Sequence, residues 1–183
     1  MKKAIACVLG LALLAGVAQA DPVGDAVVEV HAEVVSNISV TPATPIVDVG
    51  DIQIGDLIGN IPFIVHANTE AVKIYVTASD LYKGDDPVNP TVPMIPLNMT
   101  AGAVIDPTGA NVYGGGSNVA PFTTSATIGD FPAMQTDPIV FESKDNGLFS
   151  HDVLVTVQWI LSNNEQPQGD YGGRVMLTAE VQP

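Results

Sequence analysis

Three histidines, two aspartate pairs and one glycine run are the residues whose types could do chemistry, and their spacing decides what that chemistry would be. Histidine is the commonest metal ligand and general base, but both roles need converging partners. His31, His66 and His151 each lack a second histidine at i+2, i+3 or i+4. His31 falls on the polar face of an alternating segment, and His151, beside Asp152, reads as part of a turn. Asp48/Asp51 and Asp85/Asp86 offer hard oxygen ligands suited to calcium, yet neither pair sits in the spaced acidic loop of an EF-hand. Ordinary turn aspartates account for both. Gly114-Gly115-Gly116 follows no clear strand, opens no helix and has no lysine after it, so it reads as a loop rather than a phosphate cradle. There is no Gly-x-Ser-x-Gly elbow. Asn37-Ile38-Ser39 and Asn98-Met99-Thr100 match the glycosylation acceptor pattern, but both fall within expected strands. No catalytic, metal-binding or cofactor-binding residue is assigned, and the chain does not read as an enzyme.

Charge narrows the partners. Twenty acids against six bases give a net charge of -14. A nucleic-acid binder needs a basic face that displaces phosphate counterions, and docking on anionic lipid needs a polybasic cluster. The only basic cluster here is in the first three residues, so neither partner is expected. At 46% hydrophobic and 5% aromatic, the chain must build an aliphatic core, and its valine-rich text points to strands. Its 183 residues suit one domain, or one domain plus an arm.

Residues 1–20 read as a cleaved secretory signal. Met1-Lys2-Lys3 is a short basic start, Ala4 to Val17 is apolar, and Ala18-Gln19-Ala20 is a small-x-small cleavage pattern with Asp21 as the expected new N-terminus. The apolar run is too short for a membrane anchor. Removing it takes away the single cysteine, Cys7, and leaves Lys73, Lys83, Lys144 and Arg174 as the bases against 20 acids. An exported chain without cysteine holds together by burial alone, or by burial shared with a neighbouring chain. It has no thiol nucleophile, iron–sulfur ligand or cysteine-ligated zinc site.

The elements that would position any site are strands. Val72, Ile74, Val76 and Ala78 alternate with polar residues, and Val153, Val155, Val157, Trp159 and Leu161 share one face. Val175, Leu177, Ala179 and Val181 face inward from a last strand, with Arg174, Thr178, Glu180 and Gln182 outward. Ile46 to Ile54 and Ile61 to Ala67 read as short apolar segments, Met94–Thr100 and Ala103–Ile105 as a strand pair, and Ile139–Glu142 as a short strand. Asp80–Pro93 and Asp106–Asp137 read as long loops. No stretch sustains 3.6-residue apolar spacing, so the expectation is an all-β sandwich or barrel.

Val28 to Val40 is the clearest alternation. Val28, Val30, Ala32, Val34, Ser36, Ile38 and Val40 form an even face that is expected to be buried, opposite Glu29, His31, Glu33, Val35, Asn37 and Ser39. At about 3.3 Å per residue such a strand would run about 43 Å, well beyond common strand lengths. Either it bends near Ser36 and switches sheets within its own sandwich, or its first half projects. A projecting half must be covered by something else, and the groove of the next subunit would do so by strand addition. That contact is heterologous and does not close, so it builds a filament.

Three segments carry a family resemblance. Val28-Glu29-Val30-His31-Ala32-Glu33-Val34 resembles the alternating, valine-rich donor strand of major subunits of the colonization-factor-antigen type, the alpha class of chaperone–usher pilins. Phe63-Ile64-Val65-His66-Ala67-Asn68-Thr69, leading into Val72-Lys73-Ile74-Tyr75-Val76 and followed by Val92-Pro93-Met94-Ile95-Pro96-Leu97, resembles that family's Val-His-Thr-Asn region. Gly169-Asp170-Tyr171-Gly172-Gly173-Arg174-Val175-Met176-Leu177-Thr178 is similar to the Gly-x-Tyr-x-Gly-x-Val ending of pilins. The resemblance implies an incomplete immunoglobulin-like β-sandwich completed by a donor strand from a neighbouring subunit. It divides the chain into a signal (1–20), a donor-strand extension (21–35) and a pilin domain (36–183). Val28, Val30, Ala32 and Val34 would be the residues inserted into the next subunit. The implied partners are identical subunits in a homopolymer, a periplasmic chaperone, an outer-membrane usher and, where one is present, a tip adhesin. The implied location is a cell-surface fimbrium reached through the periplasm.

The alternative is a secreted or periplasmic self-complete sandwich that acts as a monomeric binding module, for carbohydrate for example, through the Asp80–Pro93 or Asp106–Asp137 loop. Such a module would favour exposed aromatic residues, whereas Trp159 reads as core. A secreted hydrolase ranks last for want of a motif.

Overall fold

A computed structural model describes residues 29–84, 86, 93–109, 112–114, 118–144 and 147–182. Ala20, Asp21 and Val28, with Asp85, Gly115 and Gly116, lie outside the described residues. The chain divides after Val34, and residues 35–183 form one compact unit. Within the described residues there is no helix. The strands in chain order are β1 (Ile38–Pro42), β2 (Gly55–Ala67), β3 (Ala71–Ser79), β4 (Leu81–Lys83), β5 (Met94–Ile95), β6 (Ala103–Pro107) and β7 (Val112–Gly114). They continue as β8 (Val119–Ala120), β9 (Phe122–Ile128), β10 (Phe131–Thr136), β11 (Ile139–Ser143), β12 (Phe149–Leu161), β13 (Tyr171–Gly172) and β14 (Val175–Val181).

All pairings are antiparallel. One sheet has the order β1-β2-β12-β6-β8, a second has β7-β11-β3-β10-β9 with β14 on β3, and a small third has β13-β4-β5. The two larger sheets share one apolar core, an arrangement consistent with a β-sandwich. The alternations explain the layers. Val72, Ile74, Val76 and Ala78 of β3 are fully buried, and Val153, Val155, Val157, Trp159 and Leu161 of β12 are buried opposite them. Along β12 burial alternates with period 2, while β3 also buries Thr77 and Ser79 of its polar face.

Two irregular residues are absorbed without breaking the longest pair. β2 and β12 run in register from Gly55↔Leu161 to Ala67↔Phe149. Pro62 sits inside β2, where its carbonyl accepts from Ala43 N at 2.9 Å. Nitrogen and carbonyl of one strand residue point to the same side, so the missing donor faces the place where β1 is leaving the sheet. Gly59 permits a close approach: a Cβ there would lie 2.8 Å from Trp159 Cζ3 and 3.0 Å from Val49 Cγ1. These two residues made the segment read as short pieces, whereas it is one long strand.

On one edge of β3, β11 pairs with Ala71–Ile74 and β10 with Thr77–Ser79. Asp137-Pro138 marks the jump between them, and the buried Thr136 hydroxyl fills the gap by accepting from Val76 N at 2.9 Å. A side chain thus completes the ladder where the backbone cannot.

Other expectations are corrected. Residues 29–37 carry no regular structure, so the Val28–Val40 strand is reduced to β1. The even face expected to be buried is exposed at Val30 (87%), Ala32 and Val34 (83%). Alternation makes a strand only where a ladder and a cover exist. A bent strand continuing within the chain's own sheets is therefore not what the described residues form. Met94–Thr100 and Ala103–Ile105 do not pair, because β6 joins β12 and β8 while β5 joins β4. Asp106–Asp137 holds four strands, including the β9–β10 hairpin around Gly129-Asp130, where Gly129 takes φ 61°. The Asp80–Pro93 segment contains β4, with Leu81 and Tyr82 buried. His151 lies inside β12 rather than in a turn.

Candidate functional site

A groove opens onto the core between two sheet edges. β1 ends the first sheet, and β14 has no strand on its far side among the described residues. Between these edges lies a groove of about 800 Å³, lined by Val40 and Pro42 of β1, Ile61 and Phe63 of β2, Trp159 of β12, and Val175 to Leu177 at the start of β14. Thr44, Pro45, Ile46, Val47 and Val49, which follow β1, also line it. Phe63, Trp159 and Leu177 make a buried floor. Ile38, Val40, Ile61, Val175, Ala179 and Val181 face the same side as the core but stay only half-buried. β1 and β14 approach each other to within 8 Å between Cα atoms without forming a ladder, and the apolar residues along these two sheet edges are left half covered.

A hydrogen-bonded frame fixes the floor. Trp159 Nε1 donates to the Ser79 carbonyl at 2.9 Å, joining the two large sheets. Ser79 N donates to the Arg174 carbonyl at 3.0 Å, and Arg174 N donates to Ser79 Oγ at 2.9 Å. Beside Ser79, Asp80 accepts from Leu97 N through Oδ1 at 2.7 Å. Burial pushes the Asp80 carboxyl above its ordinary range, and the Leu97 bond partly offsets this. Tyr82 is pushed up by burial and, secondarily, by the Asp80 charge. Gly173 lets β14 begin against this turn, since a Cβ there would lie 2.6 Å from the Asp80 carbonyl oxygen. The Tyr171 hydroxyl donates to the Pro167 carbonyl at 2.7 Å, which fixes its ring on the groove wall. The Gly169–Val175 motif therefore shapes one groove wall; no sequence signal identified it as such beyond the glycine spacing.

The other candidates are dispersed. His66 and Ser150 form an exposed cross-strand pair at 2.7 Å on the outer face of the first sheet. His151 is buried, with Nε2 3.3 Å from Ser143 Oγ and its ring edge-on to Phe149. His31 lies 3.6 Å from Glu29, both exposed. Asp48 accepts from Gly50 N at 2.9 Å in a turn. Asn98 heads a turn, accepting from Thr100 N at 3.1 Å, rather than sitting in a strand. Among the described residues no group of three or more histidine, cysteine, aspartate or glutamate side chains is placed to hold a metal.

Of the donor-segment residues, Val30, Ala32 and Val34 share an exposed, unpaired stretch, and Val28 is outside the described residues. Asn68 marks where the chain joins the first sheet: its Nδ2 donates to the Val35 carbonyl at 2.9 Å and its Oδ1 accepts from Asn37 N. No protein-family model, curated protein or solved structure matches the chain.

Proposed function

We propose that the chain is a structural subunit of a chaperone–usher pilus, an immunoglobulin-like sandwich left incomplete between β1 and β14 and completed by the donor strand of a neighbouring subunit. The observation that carries this reading is the apolar groove between two unpaired strand edges. The same chain supplies an alternating valine segment that its own sheets do not use. Strand addition would satisfy both, because an inserted segment gains ladder bonds from the free edges and buries its valines on the floor. Burying Val28, Val30 and Val34 would contribute roughly 4–8 kcal/mol before ordering costs. On this reading the protein is exported through the periplasm, is held by a chaperone and passed to an usher, and ends in a surface fimbrium used for adhesion. It catalyses nothing and needs no cofactor.

A second reading has one observation in its favour. A groove of about 800 Å³ is within the size range of small-ligand pockets, as a monomeric binding module would require.

Size on a denaturing gel, with and without boiling, separates the two. Strand-exchanged polymers dissociate slowly, so protein expressed with its neighbouring genes should give a ladder of subunit multiples that collapses on boiling. A single monomer band in both lanes would overturn the pilus reading.

A further inference from the structure

We infer, resting on the donor-strand reading, that Arg174 is the groove residue that reads the carboxylates of the incoming segment, pairing with Glu29 or Glu33 of a second copy of this chain. Among the described residues Arg174 is the one charged residue lining the groove. Among the described residues no carboxylate is within ion-pair range of it. Lys73, Lys83 and Lys144, the other cations beyond residue 20, do not line the groove.

The guanidinium is already positioned. Its Cζ lies 4.4 Å from the Phe131 ring centroid, a stacking that occupies one face of the planar group. Nη1 passes so close to Gly129 that a Cβ there would be 3.0 Å away. Two backbone bonds with Ser79 hold the residue's main chain. Holding it this way reduces the entropy cost of pairing with a carboxylate.

The incoming segment matches it in charge and spacing. When Val30, Ala32 and Val34 face the groove floor, the odd residues face the rim, and among these Glu29 and Glu33 lie at opposite ends. Either strand direction therefore brings one carboxylate toward Arg174. The pairing has a purpose in a chain of net charge -14, where two copies repel at long range. A single cation at the groove offers local attraction where the segment must dock, and it acts mainly on the rate and direction of insertion.

The test is capture of a fluorescent synthetic peptide spanning residues 26–36 by the full secreted chain, followed by anisotropy at low and high salt. Wild-type, Glu29→Gln, Glu33→Gln and scrambled peptides are compared on wild-type, Arg174→Gln and Arg174→Lys chains. One of the two Gln peptides should be captured about tenfold more slowly than wild type at low salt, with the difference lost at high salt. The Arg174→Gln chain should capture both at one rate, and Arg174→Lys should restore part of the discrimination. If both Gln peptides are captured as fast as wild type, or if Arg174→Gln preserves the difference, the role of Arg174 is overturned while strand capture stands. If the scrambled peptide is captured equally well, the groove reads neither pattern nor charge, and the inference is again overturned. No capture of any peptide by the wild-type chain overturns the donor-strand reading itself. The peptide variants leave the chain untouched, so the test holds even if Arg174→Gln fails to fold.

Discussion

Trp159 and Ser79, separated by 80 residues, are joined by a 2.9 Å hydrogen bond from the indole nitrogen to the backbone carbonyl. Trp159 belongs to β12 and Ser79 ends β3, so the bond crosses from one large sheet to the other. Ser79 also bonds Arg174 twice, just before β14. One buried serine thereby ties three strands together beneath the open groove. The indole ring is part of the groove floor, and its orientation depends on a carbonyl in the opposite sheet.

Replacing Trp159 by Phe should test that tie. The ring's apolar body is mostly kept, but the Ser79 carbonyl loses a buried donor, at a cost of about 1–3 kcal/mol. Chemical unfolding followed by circular dichroism should show a matching fall in midpoint. An unchanged midpoint would mean that water or a relaxed neighbour replaces the indole.

Gly59→Ala probes the same floor from β2. The added methyl would meet Trp159 Cζ3 at 2.8 Å and Val49 Cγ1 at 3.0 Å. Overpacking of this kind costs about 1–3 kcal/mol. It should also narrow the groove and slow capture of the 26–36 peptide. Faster or equal capture with normal stability would show that Val49 and the rim simply move aside.

Much of this architecture is legible in the chain itself, and the misses have physical causes. β3, β12 and β14 follow from alternation, which holds along all of β12; in β3 the polar-face Thr77 and Ser79 are buried as well, and in β14 the inward Val175, Ala179 and Val181 stay half-buried at the groove. β2 does not, because Gly59 and Pro62 are breakers in isolation and are tolerated only through Trp159 packing and the departure of β1. The β9–β10 hairpin carried a readable signal in Gly129-Asp130 between Ile128 and Phe131, masked by its serines and threonines. Residues 29–37 failed in the opposite sense: the pattern is strong, yet a strand is defined by its partner. The groove is not legible at all, since Val40, Phe63, Trp159 and Val175 come together only in the fold.

Thr136→Val removes the hydroxyl that bridges the β10–β11 jump while keeping the shape. Val76 N–H would be left buried and unsatisfied, at a cost of about 1–3 kcal/mol. Hydrogen exchange should report it locally, as faster exchange at Val76 than at Ile74. Equal protection at both amides would show that the ladder closes without the side chain.

Val30→Asp and Val34→Asp separate folding from assembly. Both valines are exposed, at 87% and 83%, so the isolated chain should keep its unfolding midpoint to within about 0.5 kcal/mol. Inserted into an apolar groove, an aspartate would be a buried and unpaired charge, so polymer should disappear. Normal polymer from the double variant would sink the assignment of these residues as the inserted face.

Asp80 gives the chain a pH dependence whose sign is opposite to that of a salt-bridged carboxylate. Burial raises its folded pKa above the ordinary 3.8, and the bond from Leu97 lowers it less than burial raises it. Between the ordinary and the raised value the folded chain holds a proton that the unfolded chain has released. The group's stabilising contribution is therefore fully present below the ordinary carboxylate pKa and is lost as pH rises through the raised one. Asp80→Asn keeps an oxygen for Leu97 N and removes the titration. The stability of wild type relative to Asp80→Asn should fall with rising pH across that window and level off above it. Comparing the two proteins cancels the titration of the other acids, so parallel stability curves would show that solvent reaches the carboxylate and that its burial carries no cost.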